Sequence, residues 1–167
     1  MKIGIHGRCW VLGDNIDTDT LFPGRFMTLS GATAEGALRG LAARYPELAA
    51  RFQKGDAIVA GDNFGCGSSR EYAATAIRDL GVPVVIARSF ARIFYRNAFN
   101  VGLPILEYTG EAPLPQDGPL EVDLATGAIT HAASGEVFAG TPVDPYLLEL
   151  LSEGGLLPRL RRQLNRR

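Results

Sequence analysis

One short turn constrains the fold of this chain more than any other stretch. It reads Gly61-Asp62-Asn63-Phe64-Gly65-Cys66-Gly67-Ser68-Ser69-Arg70-Glu71 and contains three glycines. The apolar run 57–60 before it predicts a buried strand, and the residues after it show the apolar spacing of a helix over 73–80. Glycine lets a backbone bend sharply and approach a ligand closely. The stretch therefore predicts a strand-to-helix turn that faces a bound molecule.

The end of such a turn is a favourable place for an anion. The first N–H groups of a helix have no partner within it, and the helix dipole adds positive charge there. Arg70 adds a guanidinium that can hold a carboxylate through two parallel hydrogen bonds. Ser68 and Ser69 add hydroxyls at the same place. The combination predicts a carboxylate substrate with a serine acting on it, while a Ser68-x-x-Glu71 capping box is the purely structural alternative.

The segments after the turn predict a parallel sheet. Residues 84–87 and 103–108 are apolar runs typical of buried strands, and a helix is predicted between them over 90–99 with Ser89 as its N-cap. Strand, helix, strand, helix and strand in this order are typical of a βαβαβ unit.

The C-terminal part has a different pattern. Residues 120–131 alternate around a turn and predict a β-hairpin, and 136–139 predict another short strand. Asp144-Pro145 predicts the start of a helix, which Gly154 ends, and the arginine-rich tail 155–167 favours a further helix.

The region before the turn is less regular. Residues 3–12 predict one bent strand or a short hairpin, and 34–53 predict two helical pieces divided at Pro46. The segment 14–20 contains three aspartates, whose spacing suits a hard cation, but it lacks the glycine and distal glutamate of a calcium loop. A loop of aspartate-stabilised turns is the simpler interpretation.

Composition limits the classes of function. The 167 residues fit one domain, 1–167, and 46% of them are hydrophobic, which is enough for a core. A net charge of −1 gives no general case for binding nucleic acid or membranes. No apolar run approaches the roughly 20 residues of a membrane helix, and no signal-peptide pattern is present, so a cytoplasmic location is expected. Cys9 and Cys66 are too few to hold a four-iron cluster alone.

Two other classes of enzyme or binding protein fit the residues less well. A serine hydrolase needs a base beside its nucleophile, yet His6 and His131 lie outside any catalytic motif and Gly-x-Ser-x-Gly is absent. The pattern Gly65-x-Gly67-x-x-Arg70 lacks the third glycine of a dinucleotide fingerprint. A stand-alone anion-binding module is left open by the spacing alone.

Four separated motifs give the chain a specific resemblance. They are Gly65-Cys66-Gly67-Ser68-Ser69-Arg70-Glu71, the segment 13–20 (GDNIDTDT), the segment 88–97 (RSFARIFYRN) and the segment 100–104 (NVGLP). Together they resemble the swivel domain of the aconitase superfamily, and more narrowly the small subunits of 3-isopropylmalate dehydratase and their homoaconitase-like relatives. The chain departs from the usual pattern at Tyr72, where histidine is common, and at Phe26-Met27, where Tyr-Leu is frequent.

The resemblance implies a fold and a reaction. The fold would be α/β: a single swivelling β/β/α domain with a parallel βαβαβ core plus a C-terminal β-hairpin and helix. The reaction would be that of a hydro-lyase, the isomerisation of 2-isopropylmalate to 3-isopropylmalate by dehydration and rehydration in leucine biosynthesis. The chain would bind no cofactor and would act only with a large subunit that carries a [4Fe-4S] cluster. Homocitrate, citramalate and dimethylmalate are the alternative substrates.

The resemblance also implies roles for individual residues. Ser68 would be the catalytic base, and no residue is expected to bind a metal. The apolar side chains in the segment 21–33 favour an alkyl group on a small di- or tricarboxylate. The residues implied in substrate binding are Gly67, Ser69, Arg70, Arg25, Phe26 and Met27.

Overall fold

Two four-stranded sheets organise the chain. The computed structural model describes residues 1–27, 34–69, 71–116 and 118–165. The strands are β1 (Lys2–Ile5), β2 (Cys9–Val11), β3 (Ala57–Ala60), β4 (Val85–Ala87), β5 (Ile105–Glu107), β6 (Leu120–Asp123), β7 (Ala128–His131) and β8 (Val137–Ala139). One sheet has the order β1-β6-β7-β8 and is antiparallel, whereas the other has the order β2-β3-β4-β5 and is parallel.

Helices connect and cover the strands. They are α1 (Thr18–Leu21), α2 (Ala34–Ala42), α3 (Pro46–Arg51), α4 (Tyr72–Asp79), α5 (Arg92–Val101), α6 (Pro145–Ser152) and α7 (Leu156–Leu164), with a short 3-10 helix at Gly24–Phe26. The two helical pieces expected over 34–53 and the division at Pro46 are confirmed. In the described part of the chain, no helix is long and apolar enough to cross a membrane.

Three strands of the parallel sheet and the two helices between them form the predicted βαβαβ unit. Strands β3, β4 and β5 pair in parallel, and α4 and α5 form the two crossovers. All residues of β3 and β4 are buried, which explains why both strands have continuous apolar sequences rather than alternating ones. Helix α4 buries one face, at Ala73, Ala76 and Ile77, and the chain leaves it through Gly81 at φ +88°. The α/β fold class is therefore confirmed.

The first two strands differ from the expectation. Residues 3–12 do not form one bent strand or a hairpin, because β1 and β2 belong to different sheets. Strand β1 pairs antiparallel with β6, and β2 pairs in parallel with β3. Local periodicity cannot reveal this division, since the partner of β1 lies more than a hundred residues further along the chain.

The C-terminal elements follow the sequence pattern. Strands β6 and β7 form the predicted hairpin, and β8 pairs with β7. The Asp144 side chain accepts a hydrogen bond from the Tyr146 N–H with Pro145 in the first turn, so the predicted N-cap is confirmed. Helices α6 and α7 both pack against α5.

A buried aspartate fixes the passage from one sheet to the other. Asp56, only 5% exposed, lies just before β3. Its carboxylate accepts hydrogen bonds from the Arg8 N–H (2.8 Å), the Trp10 Nε1–H (2.8 Å) and the Gln53 N–H (2.9 Å). A buried carboxylate is stable only when such donors satisfy it. Asp56 therefore ties the start of β2 to the start of β3.

Replacement of Asp56 by alanine is expected to destabilise the chain by about 3 kcal/mol or more, because three donors lose a charged acceptor. The measurement is urea unfolding of the isolated chain. Asp79→Ala is the control, since Asp79 pairs with Arg78 at the surface, and its loss costs about 0–1 kcal/mol. Equal midpoints for the two variants would contradict this role of Asp56.

Candidate active site

Three loops meet at the carboxyl edge of the parallel sheet. They follow β2, β3 and β4 and comprise residues 12–17, 61–69 and 88–91. Ligands of open α/β sheets bind at this edge, where the loops after neighbouring strands converge. The glycine-serine turn identified from the sequence is the middle loop of the three.

The first loop pairs with the turn as a continuation of the sheet. The Gly65 N–H donates to the Ile16 carbonyl (2.7 Å), and the Thr18 N–H donates to the Cys66 carbonyl (2.8 Å). These two bonds form a parallel bridge between Asp17 and Cys66. This first loop therefore lies directly against the glycine-serine turn.

The third loop pairs with the turn from the other side. The Phe64 N–H donates to the Ser89 carbonyl (3.0 Å), and the Ala91 N–H donates to the Phe64 carbonyl (2.9 Å). Ser89 is not the N-cap of α5, which was the expectation. Ala91 holds that position without a side-chain bond, because the Ser89 hydroxyl instead accepts from the Asn63 N–H (2.8 Å).

An aromatic cluster anchors the turn from below. Phe64 is fully buried and makes edge-to-face contacts with Phe90 and Phe94, with ring centroids 5.9 and 5.2 Å apart. Gly65 follows with φ +78°, and the Phe94 ring occupies the space that a Cβ of residue 65 would need. Only glycine satisfies both conditions, the left-handed backbone and the close approach of the ring.

The predicted site residues of the turn lie together at its surface. Gly67 and Ser69 are exposed, and Ser68 is half-buried. The Ser68 N–H donates to Thr18 Oγ1 (3.1 Å), and the Ser69 carbonyl accepts from Asn97 Nδ2 (3.3 Å). Arg70, the predicted carboxylate-binding residue, lies outside the described residues.

The capping-box alternative is wrong. Helix α4 begins at Tyr72, and its N-cap is Glu71, which makes no side-chain capping hydrogen bond. Ser68 would have to be the N-cap in a capping box. Glu71 holds that position, so Ser68 is not the N-cap of α4. The Ser68 backbone N–H donates to Thr18 Oγ1 instead.

The predicted substrate-binding segment divides between two neighbouring cavities. Arg25 is exposed, with its guanidinium carbon 4.8 Å from the centre of the Phe26 ring, and it lines a cleft of about 430 Å³ that also contains Asp17 and Arg44. Met27 borders a small cavity beside the first turn of α4. The residues of this second cavity are Thr18, Asp19, Phe22, Gly24, Met27, Tyr72 and Ala73. Met27 thus lies beside the first turn of α4, while residues 28–33 of the same segment lie outside the described residues.

The aspartates of the first loop hold backbone groups. Asp14 Oδ1 accepts from the Asp62 N–H (2.8 Å), and Asp17 Oδ1 accepts from the Thr20 N–H (2.6 Å) and caps α1. Asp17 agrees with the interpretation as an aspartate-stabilised turn, whereas Asp14 bonds the backbone of the glycine-serine turn. Among the residues with described positions, no three Asp, Glu, His or Cys side chains form a group that could hold a metal ion.

Arg88 and the two histidines have positions of their own. Arg88 donates to the carbonyls of Gly110 (3.2 Å) and Glu111 (3.4 Å), and Arg92 is exposed. His131 contacts Ser134 Oγ (2.8 Å) in the antiparallel sheet. His6 precedes β2 and therefore lies towards the opposite edge of the parallel sheet. Neither histidine has the position of a hydrolase base.

Sequence reasoning missed two residues of the site. Thr18 and Asn97 are both buried, and their side chains bond the backbone of Ser68 and Ser69. Each lies within a motif noted above, at 13–20 and 88–97. The motifs were the available signal, but which atom each side chain binds depends on how the loops converge.

Comparisons with known proteins agree with this fold. Residues 21–111 match the model of the aconitase C-terminal domain, which places the chain in that class of α/β protein. A 3-isopropylmalate dehydratase small subunit from Thermotoga maritima is 46% identical over 158 residues, covering 95% of each chain. An isopropylmalate/citramalate isomerase small subunit from Methanocaldococcus jannaschii is 42% identical over 167 residues, 98% of each.

A solved structure gives the same result. The crystal structure of 3-isopropylmalate dehydratase from Methanocaldococcus jannaschii superposes with a TM-score of 0.83 at 36% identity, covering 98% of this chain and 95% of that one. The chain belongs to the family of 3-isopropylmalate dehydratase small subunits.

Replacement of Gly65 by alanine is expected to destabilise the chain by about 1–3 kcal/mol more than Gly135→Ala. Gly135 is the matched control, because it has a similar φ of +72° but no atom within 4 Å of the position that a Cβ would take. Both variants incur the left-handed backbone cost of about 1–2 kcal/mol, and only Gly65→Ala adds overpacking against Phe94. Urea unfolding measures the difference. Equal losses in the free energy of unfolding would show that the Phe94 ring moves aside without loss of stability.

Proposed function

We propose that this chain is the small subunit of a two-subunit hydro-lyase that isomerises 2-isopropylmalate to 3-isopropylmalate in leucine biosynthesis. The main observation behind this proposal is the position of Ser68. It is half-buried at the sheet edge, its N–H donates to Thr18 Oγ1, and it is not the N-cap of α4. The names of the relatives support the reaction. In this proposal the whole of residues 1–167 acts as one swivelling unit in the cytoplasm, where cysteine thiols remain reduced.

The proposed chemistry begins with proton removal. Ser68 Oγ takes the proton from the carbon next to a substrate carboxylate, and the electron pair of that C–H bond forms the alkene as the hydroxyl on the neighbouring carbon leaves. Water then adds back with the hydroxyl on the other carbon, and Ser68 returns the proton. A serine hydroxyl is a weak acid, so its alkoxide needs the positive end of α4, Arg70 and exclusion of water.

Substrate binding falls to the neighbours of Ser68. Arg70 holds a substrate carboxylate through its guanidinium fork, and Ser69 and Gly67 contact it from the exposed surface of the turn. A carboxylate bound there lies at the start of α4, where an anion is favoured.

The proposal requires a partner. The chain has two cysteines, Cys9 buried inside β2 and Cys66 in the turn, which are too few to hold a four-iron cluster. A large subunit therefore carries the [4Fe-4S] cluster, which supplies a Lewis acid for the departing hydroxyl when bound. The exposure of Gly67 and Ser69 supports the same conclusion, because reactive groups on an open surface need a second protein surface to exclude water.

The substrate side chain is assigned from the segment beside α4. Met27 borders a cavity of only about 10 Å³ next to Tyr72, which is too small for a substrate side chain, and Phe26 is half-buried. In this proposal the two side chains form an apolar surface against which the substrate side chain packs. Apolar contacts favour the alkyl group of isopropylmalate over the third carboxylate of homocitrate, with Arg25 directed to the neighbouring cleft. Citramalate is the second candidate, because one relative is named for isopropylmalate and citramalate together.

Ser68→Ala is expected to lower kcat of the reconstituted complex by about 10²–10⁴-fold, because the general base is lost. The measurement is alkene absorbance from isopropylmalate. Assembly with the large subunit remains, since Ser68 does not cap α4. The control is Ser152→Ala, at the end of α6, where the hydroxyl bonds only the carbonyl of Glu149. Turnover by Ser68→Ala close to that of the unmodified complex would disprove the catalytic role.

Met27→Arg is expected to shift the preference from isopropylmalate towards homocitrate. A change of one apolar contact alters discrimination by about 1–3 kcal/mol, or roughly 10–200-fold in relative kcat/KM. The experiment compares kcat/KM for isopropylmalate, citramalate and homocitrate on both complexes. If the unmodified complex prefers homocitrate, the assignment of the side-chain pocket is wrong.

A further inference from the structure

Thr18 forms hydrogen bonds with the glycine-serine turn on both sides of Gly67. Its N–H donates to the Cys66 carbonyl (2.8 Å), and its Oγ1 accepts from the Ser68 N–H (3.1 Å). Gly67 lies between these two anchors with φ +99°. Thr18 itself is only 5% exposed. We propose that Thr18 is a positioning residue that fixes Ser68 for proton transfer, an inference that rests on the function proposed above.

The hydroxyl is needed because the backbone cannot supply this bond. The sheet-like pairing of the two loops ends at Thr18, where the chain turns into α1. The Thr18 carbonyl, which would continue a ladder, instead accepts from the Phe22 N–H (2.8 Å) in the helix. Thr18 Oγ1 takes the place of this carbonyl and accepts the hydrogen bond from the Ser68 N–H. Valine has nearly the same shape as threonine but cannot make this bond.

Gly67 makes the bond important for the orientation of Ser68. Glycine has more backbone freedom than any other residue, so a glycine before a reacting side chain tends to let that side chain move. Thr18 holds the residues on both sides of Gly67, which removes this freedom. A displacement of about 1 Å in a catalytic group can lower the rate about 100-fold. The loss of the Thr18 hydroxyl is therefore expected to act on the rate of the reaction.

Thr18 also connects the base with the segment that contacts the substrate. It borders the same cavity as Met27, and α1 leads directly into the 3-10 helix at Gly24–Phe26.

The test is Thr18→Val in the complex with the large subunit, with isopropylmalate as substrate. We expect kcat to fall about 10- to 100-fold while KM stays within about twofold, because the residue does not contact the substrate carboxylate. Thr18→Ser keeps the hydroxyl and is expected to recover most of kcat. The matched control is Thr75→Val on α4, which removes a hydroxyl that donates only to the Glu71 carbonyl and is expected to leave kcat unchanged.

A second measurement does not depend on turnover. Hydrogen exchange of the Ser68 N–H in the isolated chain, followed by NMR, is expected to be about tenfold faster or more in Thr18→Val, and close to normal in Thr18→Ser. Unchanged exchange, or equal kcat loss in Thr18→Val and Thr18→Ser, would overturn the inference. A normal kcat for Thr18→Val together with an inactive Ser68→Ala would overturn only the positioning role of Thr18. Full turnover by Ser68→Ala would overturn the proposed catalytic role as well.

Discussion

The pairing of the glycine-serine turn with the loops on both sides of it determines the rest of the site. On one side, Gly65 and Cys66 bond the loop 14–18, and on the other, Phe64 bonds Ser89 and Ala91. These bonds extend the parallel ladder beyond the ends of its strands. A turn with three glycines would have much backbone freedom by itself. Pairing on both sides holds it as a fixed platform for Ser68, and such a platform is what the proposed role of Ser68 as a catalytic base requires.

Phe64 connects this platform with the apolar core. Phe64 is fully buried between Phe90 and Phe94, so the turn is anchored in the interior three residues before its exposed part begins at Gly67. The arrangement separates two tasks. Burial of an aromatic ring supplies the stability, and the glycines and serines that follow are left to meet a ligand. The close approach of Gly65 to Phe94 lets the chain pass from the interior at Phe64 to the surface at Gly67 within three residues.

The sequence predicted the elements that depend on local pattern. The βαβαβ unit, the hairpin at 120–131 and the Asp144 cap were all found where expected, because each follows from periodicity or from neighbouring residues. The division of β1 and β2 between two sheets was missed, and so was the use of Ser89. In both cases the competing partner lies far away in sequence: β6 for β1, and Asn63 for the Ser89 hydroxyl.

The sequence by itself determined a strand-to-helix turn that carries Gly67, Ser68 and Ser69 shortly before α4. It did so because backbone freedom and hydroxyl chemistry belong to residue types and their spacing. Only the tertiary structure decided that Ser68 is held by Thr18 instead of capping α4, and that Met27 lies beside Tyr72. These depend on which donors and apolar surfaces the converging loops bring within a few ångströms, and no local pattern encodes that distance.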